Sequence, residues 1–301
     1  MSVIQIEHNN RIYKDKGGHL EITNKSGRHF PVPYILYKYY PLNKFTVDAI
    51  ANHYLYASNP SQLNDRFDCD PQLVSFNSFE DELSAIRKIR HDVSVNEEDL
   101  YHTSEFGIDN SLVEYYYKHW GIISLSKVYD EILMWSHYAK DDGICIGFYT
   151  DRLPLDWIGP YPIEYVKKRD AACLSFQQIT LIPLIQCFQK NIKWKYEKEF
   201  RFLINLPRGL SRKATYDTDA IAEIYLGRSF FKDMEIKVDE ENFHVTIDTT
   251  KRYDLYRRKL LDTIAGYCIP VYYDLTLYID EIQYKPYRLF KEDGVYGFYY
   301  C

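Results

Sequence analysis

The amino-acid sequence predicts an α+β fold, a single domain whose mixed, discontinuous sheet is flanked by helices. Three observations lead there. Strand-like and helix-like segments follow one another without the regular strand–helix–strand spacing of a doubly wound sheet. No repeat, low-complexity tract or Pro/Gly-rich linker divides the chain. The 301 residues, 46% of them hydrophobic, are enough to bury one sizeable core. The domain is expected over residues 34–301, after an N-terminal extension over 1–33.

The elements follow in order. Residues 1–30 alternate weakly in polarity, and KDKGGH predicts a hairpin turn at Gly17–Gly18. YILYKYY (34–40) is rich in strand-forming aromatics, NKFTVDAIANH (43–53) reads as a short helix and YLYAS (54–58) as a second strand. NPSQLNDRFDCDP (59–71) is made of turn formers and predicts a loop. FEDELSAIRKIRHDVS (79–94) and NSLVEYYYKHW (110–120) carry helical apolar spacing, and GIISLS (121–126) reads as a strand. DEILMWSHYAK (130–140) predicts a helix opened by an acidic residue. DDG closes it, with Gly143 expected at positive φ. ICIGFY is the next strand, and LSFQQITLIPLIQCFQKN (174–191) is mostly helical apart from Pro183. The strand-like EKEFRFLINL and IAEIYLG follow, then a short helix SFFKDME, the strand HVTIDT, the helix YDLYRRKLLDTIAG and one or two terminal strands.

Composition narrows the class. A net charge of −6 argues against a dedicated nucleic-acid coat, though not against a local basic patch. The six cysteines are scattered without a C-x-x-C pair, which predicts reduced structural thiols and a cytoplasmic protein. No apolar run reaches the ~20 residues that span a bilayer, and no signal-peptide core opens the chain, so no membrane partner is expected. The 30 tyrosines suit strands, half-buried faces and ligand clefts alike, and locate none of them. Phosphate-loop, dinucleotide-fingerprint, zincin and nucleophile-elbow motifs are missing from the sequence.

The stretch KWKYEKEFRF (193–202) sets Glu197, Glu199 and Arg201 at alternate positions. On a strand they share one face, the two carboxylates about 6–7 Å apart. That is either a solvated face carrying a surface ion pair or a ligand-facing set in which a carboxylate stabilises charge at a glycosidic bond. Trp135 and Tyr138 share one helix face, Met134 and His137 another. His137 is a candidate general base or phosphate contact, and also an ordinary packing residue. Asn64, Asp65, Asp68 and Asp70 read as Asx turns, as a ligand-facing loop or as a divalent-cation site. The last lacks the twelve-residue calcium-loop spacing, and no metal is expected. Lys38 points away from Tyr37 and Tyr39, either exposed or against a diphosphate.

Three segments together resemble a widespread bacterial domain-of-unknown-function family. The first runs from Tyr37-Lys38-Tyr39 to a strand end S-x-P-x-x-(F/L)-N-D-x-F-D, here Ser58 to Asp68, with Arg66 where the family often has proline. The second is MWSHYAKDDG, which follows M-W-x-H-Y-x-x-x-x-x-G with one residue fewer before the glycine, and the third is K-x-x-x-W-x-x-E-x-E-x-R from Lys190 to Arg201. The resemblance covers residues 34–230 and implies a phage-defence setting. The order of elements, with Ser126 ending GIISLS and E-x-E on a late strand, is also similar to ADP-ribosyltransferases. That similarity implies NAD as substrate, with Glu199 as catalytic carboxylate and Glu197 assisting. It also implies contacts from Tyr37, Lys38, Ser58, Asn64, Asp65, Ser126, Trp135, Tyr138 and Arg201, and a protein or nucleic-acid acceptor. Two alternatives stay open. One is a metal-dependent nuclease using Glu235 and Lys237 with the basic 251–259 segment; the other is a non-enzymatic sensor or interaction module. All three readings expect one cleft made by the 37–39 strand, the 64–68 loop, the 135–138 helix and the 197–201 strand.

Overall fold

The computed structural model describes residues 3–65, 67–90, 110–168, 170–206, 211–239, 242–273 and 284–301. Arg66, residues 91–94 of the expected 79–94 helix and part of the C-terminal strand segment lie outside them. The architecture is α+β, centred on one mixed sheet of eleven strands. From one edge the strands are Glu235–Val238, Asn242–Thr246, Val295–Tyr300, Lys285–Glu292, Val271–Tyr273 and Ile221–Leu226. Beyond these come Ile144–Tyr149, Ile35–Tyr40, Trp120–Ser126, Glu199–Asn205 and Ile158–Pro162. The neighbours Ile221–Leu226 and Val271–Tyr273 run parallel.

One join in this sheet is slight. Ile35–Tyr40 pairs over six residues with Ile144–Tyr149, and Trp120–Ser126 over seven with Glu199–Asn205. Among the described residues the two inner strands pair with each other at one position, Tyr37 with Ser126. Beyond that pair they leave a notch, and the candidate site lies there.

The two larger apolar clusters among the described residues pack on the sheet. One packs Leu36, Ile146, Phe148, Phe202 and Ile224 against Leu260, Leu261 and Ile264 of the Arg252–Ala265 helix. The other gathers Ile122, Leu203, Leu184, Ile185 and Phe188 with Tyr13, Leu20 and Ile22. The last three come from an antiparallel meander of Ile4–His8, Arg11–Asp15 and Leu20–Asn24, which turns at Gly17 and Gly18, both at positive φ. The Lys44–Ala51 helix begins where Asn43 accepts hydrogen bonds from Phe45 N and Thr46 N, a cap worth about 1 kcal/mol.

Several expected elements differ. SFFKDME forms turns instead of a helix. DEILMWSHYAK becomes one short α-turn, Ile132–Met134, followed by a π-turn, Trp135–Ala139, which ends with Lys140 and Asp141 left-handed. Gly143 is therefore not the positive-φ residue. A Cβ at Gly143 would stand 2.0 Å from the Tyr40 carbonyl oxygen and 2.6 Å from that of Ala139. Close approach of three backbone segments selects this glycine. Among the described residues no helix is long and apolar enough to cross a membrane.

Because those neighbours are backbone atoms that cannot swing away, Gly143→Ala is expected to lower the unfolding free energy by at least about 2 kcal/mol. Urea titration of the two proteins measures it, and an unchanged midpoint would refute the packing account.

Candidate functional site

The notch opens into a cavity of about 220 Å³. Tyr37, Lys38 and Tyr39 form one wall, and Ser58, Gln62, Leu63, Asn64 and Asp68 a second. Ser124 to Ser126, Met134, Tyr138, Lys190, Glu197, Glu199 and Arg201 complete it. The loop in the second wall is shaped by a capping box. The Asn59 side chain accepts from Ser61 N, the Gln62 side chain accepts from Asn59 N, and Asn59 Nδ2 donates to the Tyr117 carbonyl at 2.8 Å.

Glu197, Glu199 and Arg201 do not share a strand face. Glu197 ends a 3-10 helix, Ile192–Glu197; Lys198 is left-handed at φ 45°, and the strand begins at Glu199. The kink at Lys198 brings Glu197 round to the pocket that the strand alternation gives to Glu199 and Arg201. The solvated-face reading is also overturned, since Glu197, Glu199 and Arg201 are 2%, 5% and 0% exposed.

Arg201 organises the floor. Its Nη1 and Nη2 grip Asp68 Oδ1 and Oδ2 as a two-pronged fork, Nε donates to Glu199 Oε1 at 2.6 Å, and Nη1 also reaches the Cys187 carbonyl at 2.8 Å. Lys190 Nζ donates to Glu197 Oε2 at 2.6 Å and Glu199 Oε2 at 3.3 Å, lies 3.6 Å from Asp68 Oδ2, and sits 4.9 Å over the Trp194 ring. The other Glu197 oxygen accepts from the Tyr138 hydroxyl, which in turn accepts from Asn64 Nδ2 at 2.8 Å. Ser126 Oγ donates to the Glu197 carbonyl at 2.7 Å and accepts from Val128 N, so it positions that residue's backbone.

Burial alone would raise both glutamates, but Arg201 and Lys190 override it at Glu199 and hold that carboxyl far below its usual range. At Glu197 burial and the neighbouring Glu199 charge prevail over Lys190 and Tyr138, and the pKa is raised. Lys190 is held charged, against its burial, chiefly by Glu199 and Asp68. Two adjacent carboxyls are thus tuned in opposite directions.

Of the residues singled out in the sequence, Tyr37, Lys38, Ser58, Asn64, Ser126, Tyr138, Glu197, Glu199 and Arg201 line the cavity. Asp65, Trp135 and His137 do not. Asp65 Oδ1 accepts from Phe67 N in an Asx turn. Trp135 is buried against Tyr39, its Nε1 donating to the Tyr129 carbonyl. His137 is exposed, with Nδ1 3.1 Å from the Tyr196 hydroxyl. Lys38 is not on open surface: its Nζ donates to the Ser124 carbonyl at 2.9 Å. The sequence marks Asp68 only as an Asx-turn, loop or cation-site residue, and Lys190 only as part of a quoted motif; neither is expected there as a partner of Arg201, Glu197 or Glu199. Their signal was the need of two acids and an arginine for a further partner of each sign.

The cation that three converging carboxylates require is supplied by Arg201 and Lys190, and the described residues hold no group of three His, Cys, Asp or Glu arranged for a metal ion. Asp70 caps the turn at Gln72 N. Glu235 and Lys237 are exposed, pair with each other at 3.4 Å, and occupy the sheet edge remote from the notch. Compared with known proteins, the chain matches no family model, no curated protein and no solved structure.

Removing one member of this buried network leaves an uncompensated charge. Arg201→Met is expected to cost about 3–5 kcal/mol, and Arg201→Lys not to restore it, because an ammonium cannot make the fork. The pH dependence has a definite sign. Glu199 has a folded pKa below its unfolded value of 4.5, so its stabilisation is complete above that pH and is lost on acidification towards the folded pKa. Chemical unfolding across the acid range should show this limb in the wild type and a flatter one in Glu199→Gln.

Proposed function

We propose that the cleft binds a nucleotide such as NAD and breaks the bond between ribose and nicotinamide, by hydrolysis or by ADP-ribosyl transfer, in the phage-defence setting that the family resemblance implies. The observation that supports this reading is the oppositely tuned pair of buried carboxyls, Glu199 and Glu197.

The chemistry asks for both. As the bond from the ribose anomeric carbon to nitrogen breaks, positive charge develops on the sugar, and an ionised carboxylate in a water-poor site stabilises it. Glu199, kept ionised by Arg201 and Lys190, has that character. The departing nicotinamide keeps the bonding electron pair, which neutralises its ring nitrogen, so no general acid is needed. Water or an acceptor hydroxyl then bonds to the anomeric carbon and gives up a proton. Glu197, with its raised pKa and its hydrogen bond to Tyr138, is suited to take it. Tyr37, Tyr39 and Met134 offer ring-sized apolar surface, and Gln62 and Asn64 at the exposed rim offer amides to sugar hydroxyls. A cavity of about 220 Å³ suits one nucleoside end of the ligand, with the remainder across the mouth.

Nicotinamide release from NAD, with and without cell lysate as a source of acceptor, tests the reading. The wild type should release nicotinamide, and Glu197→Gln and Glu199→Gln, each shown to be folded by its thermal transition, should lose about a hundredfold or more. The rate should rise with pH through the raised Glu197 pKa and then level off, since the base acts deprotonated. No release by folded wild type would overturn the enzymatic reading, and tight NAD binding without turnover would make the protein a sensor.

A further inference from the structure

The cavity holds two lysines in contrasting surroundings. Lys190 touches three carboxylates, and that contact keeps it an ammonium. Lys38 lines the same cavity, and among the described residues no carboxylate lies within ion-pair distance of its Nζ. Among the described residues its Nζ donates to a neutral acceptor, the Ser124 carbonyl at 2.9 Å. The side chain is half-buried and lines the cavity. An ammonium without a counter-ion in such a cavity is disfavoured, so its proton comes off more readily and the free amine is a nucleophile.

We propose that Lys38 is a nucleophilic amine, a covalent-capture site for an aldehyde-bearing ligand of the sugar or sugar-phosphate class. The charged groups that bear on Nζ act in both directions. Burial lowers its pKa most, Glu199 and Glu197 raise it, and Arg201 lowers it, with a net value of about 8. About a tenth of Lys38 is therefore uncharged at pH 7, against less than about a thousandth of an ordinary lysine. The amine lone pair attacks the carbonyl carbon, the C=O π pair moves to oxygen, and the oxygen takes up a proton, giving a carbinolamine. Loss of that hydroxyl as water, with loss of the nitrogen's proton, gives the imine. Amine and aldehyde are consumed, imine and water are formed, and no oxidant or reductant is needed. A ribose freed at its anomeric carbon opens to such an aldehyde; that choice of ligand rests on the glycosidic reading above, whereas the reactivity of Lys38 does not.

Reductive trapping tests it on the whole chain. The protein is incubated near neutral pH with cyanoborohydride and either glycolaldehyde or ribose 5-phosphate, and every lysine's occupancy is read by peptide mass spectrometry. Lys38 should be labelled at least about tenfold faster than exposed lysines such as Lys232 and Lys237, because its free-amine fraction is larger. Its rate should climb with pH to a plateau, with a midpoint near 8. Labelling at or below the exposed lysines' rate, with either aldehyde, would overturn the proposal. Labelling by ribose 5-phosphate alone that inorganic phosphate competes away would support the proposal and narrow the captured class to sugar phosphates. The measurement is made on wild-type protein without NAD, so its failure leaves the nicotinamide-release result independent. Lys38→Met, matched in length and uncharged, should retain the fold and lose the label at that peptide.

Discussion

A guanidinium with no exposure to water is the constraint around which this molecule is arranged. Arg201 is 0% exposed, and a cation so buried is tolerable only if carboxylates and carbonyls surround it. The chain meets that demand from three places, near and far along the sequence. Asp68 arrives on the turn-rich loop, Glu199 from two residues earlier on the same strand, and the Cys187 carbonyl from the end of the Ile182–Cys187 helix. Each must come within about 3 Å of the guanidinium, so the loop, strand and helix are tied at one point. The surplus negative charge of Asp68, Glu197 and Glu199 then calls in Lys190, and the network is closed at its base.

The sheet supplies the opening. Among the described residues the two well-paired blocks of strands share one backbone pairing, Tyr37 with Ser126, so side chains beyond it face a cavity instead of a neighbouring strand. The approach of Gly143 to Tyr40 and Ala139 holds the π-turn segment near the Ile35–Tyr40 strand. Tyr138 is thereby placed where its hydroxyl meets Glu197, and a π-turn is a common way to aim one side chain out of helical register. Rigidity at the floor and an open notch above it are what a preorganised charge-stabilising site requires.

The same low-dielectric surroundings act differently on neighbouring groups according to their partners. Glu199 is pinned by two cations and stays ionised; Glu197 shares one of them and faces another carboxylate, so its proton is held more tightly. Lys190 sits among acids and keeps its charge, while Lys38 meets a carbonyl and is inclined to lose it. Acid–base and nucleophilic character here follow from partner lists as much as from residue type.

Local chemistry written in the sequence determined a good deal by itself. Aromatic-rich runs such as ILYKYY became strands, Gly17–Gly18 a turn, and the NPSQLND segment a capped loop, because propensity and capping act over a few residues. The grouping of the 37–39, 64–68 and 197–201 segments was legible in the quoted motifs, although each segment also had a bland reading, as an exposed lysine, as Asx turns or as a solvated strand face. Tertiary structure alone decided the rest. Strand alternation placed Glu199 and Arg201 correctly but not Glu197, whose orientation depends on a left-handed Lys198. It also decided that Trp135 packs inward, that His137 and Asp65 stay outside the cavity, and that Gly143 serves contact instead of φ. The contrast between Lys38 and Lys190 is of the same kind, since a pKa is set by neighbours that are far away in the chain and close only in space.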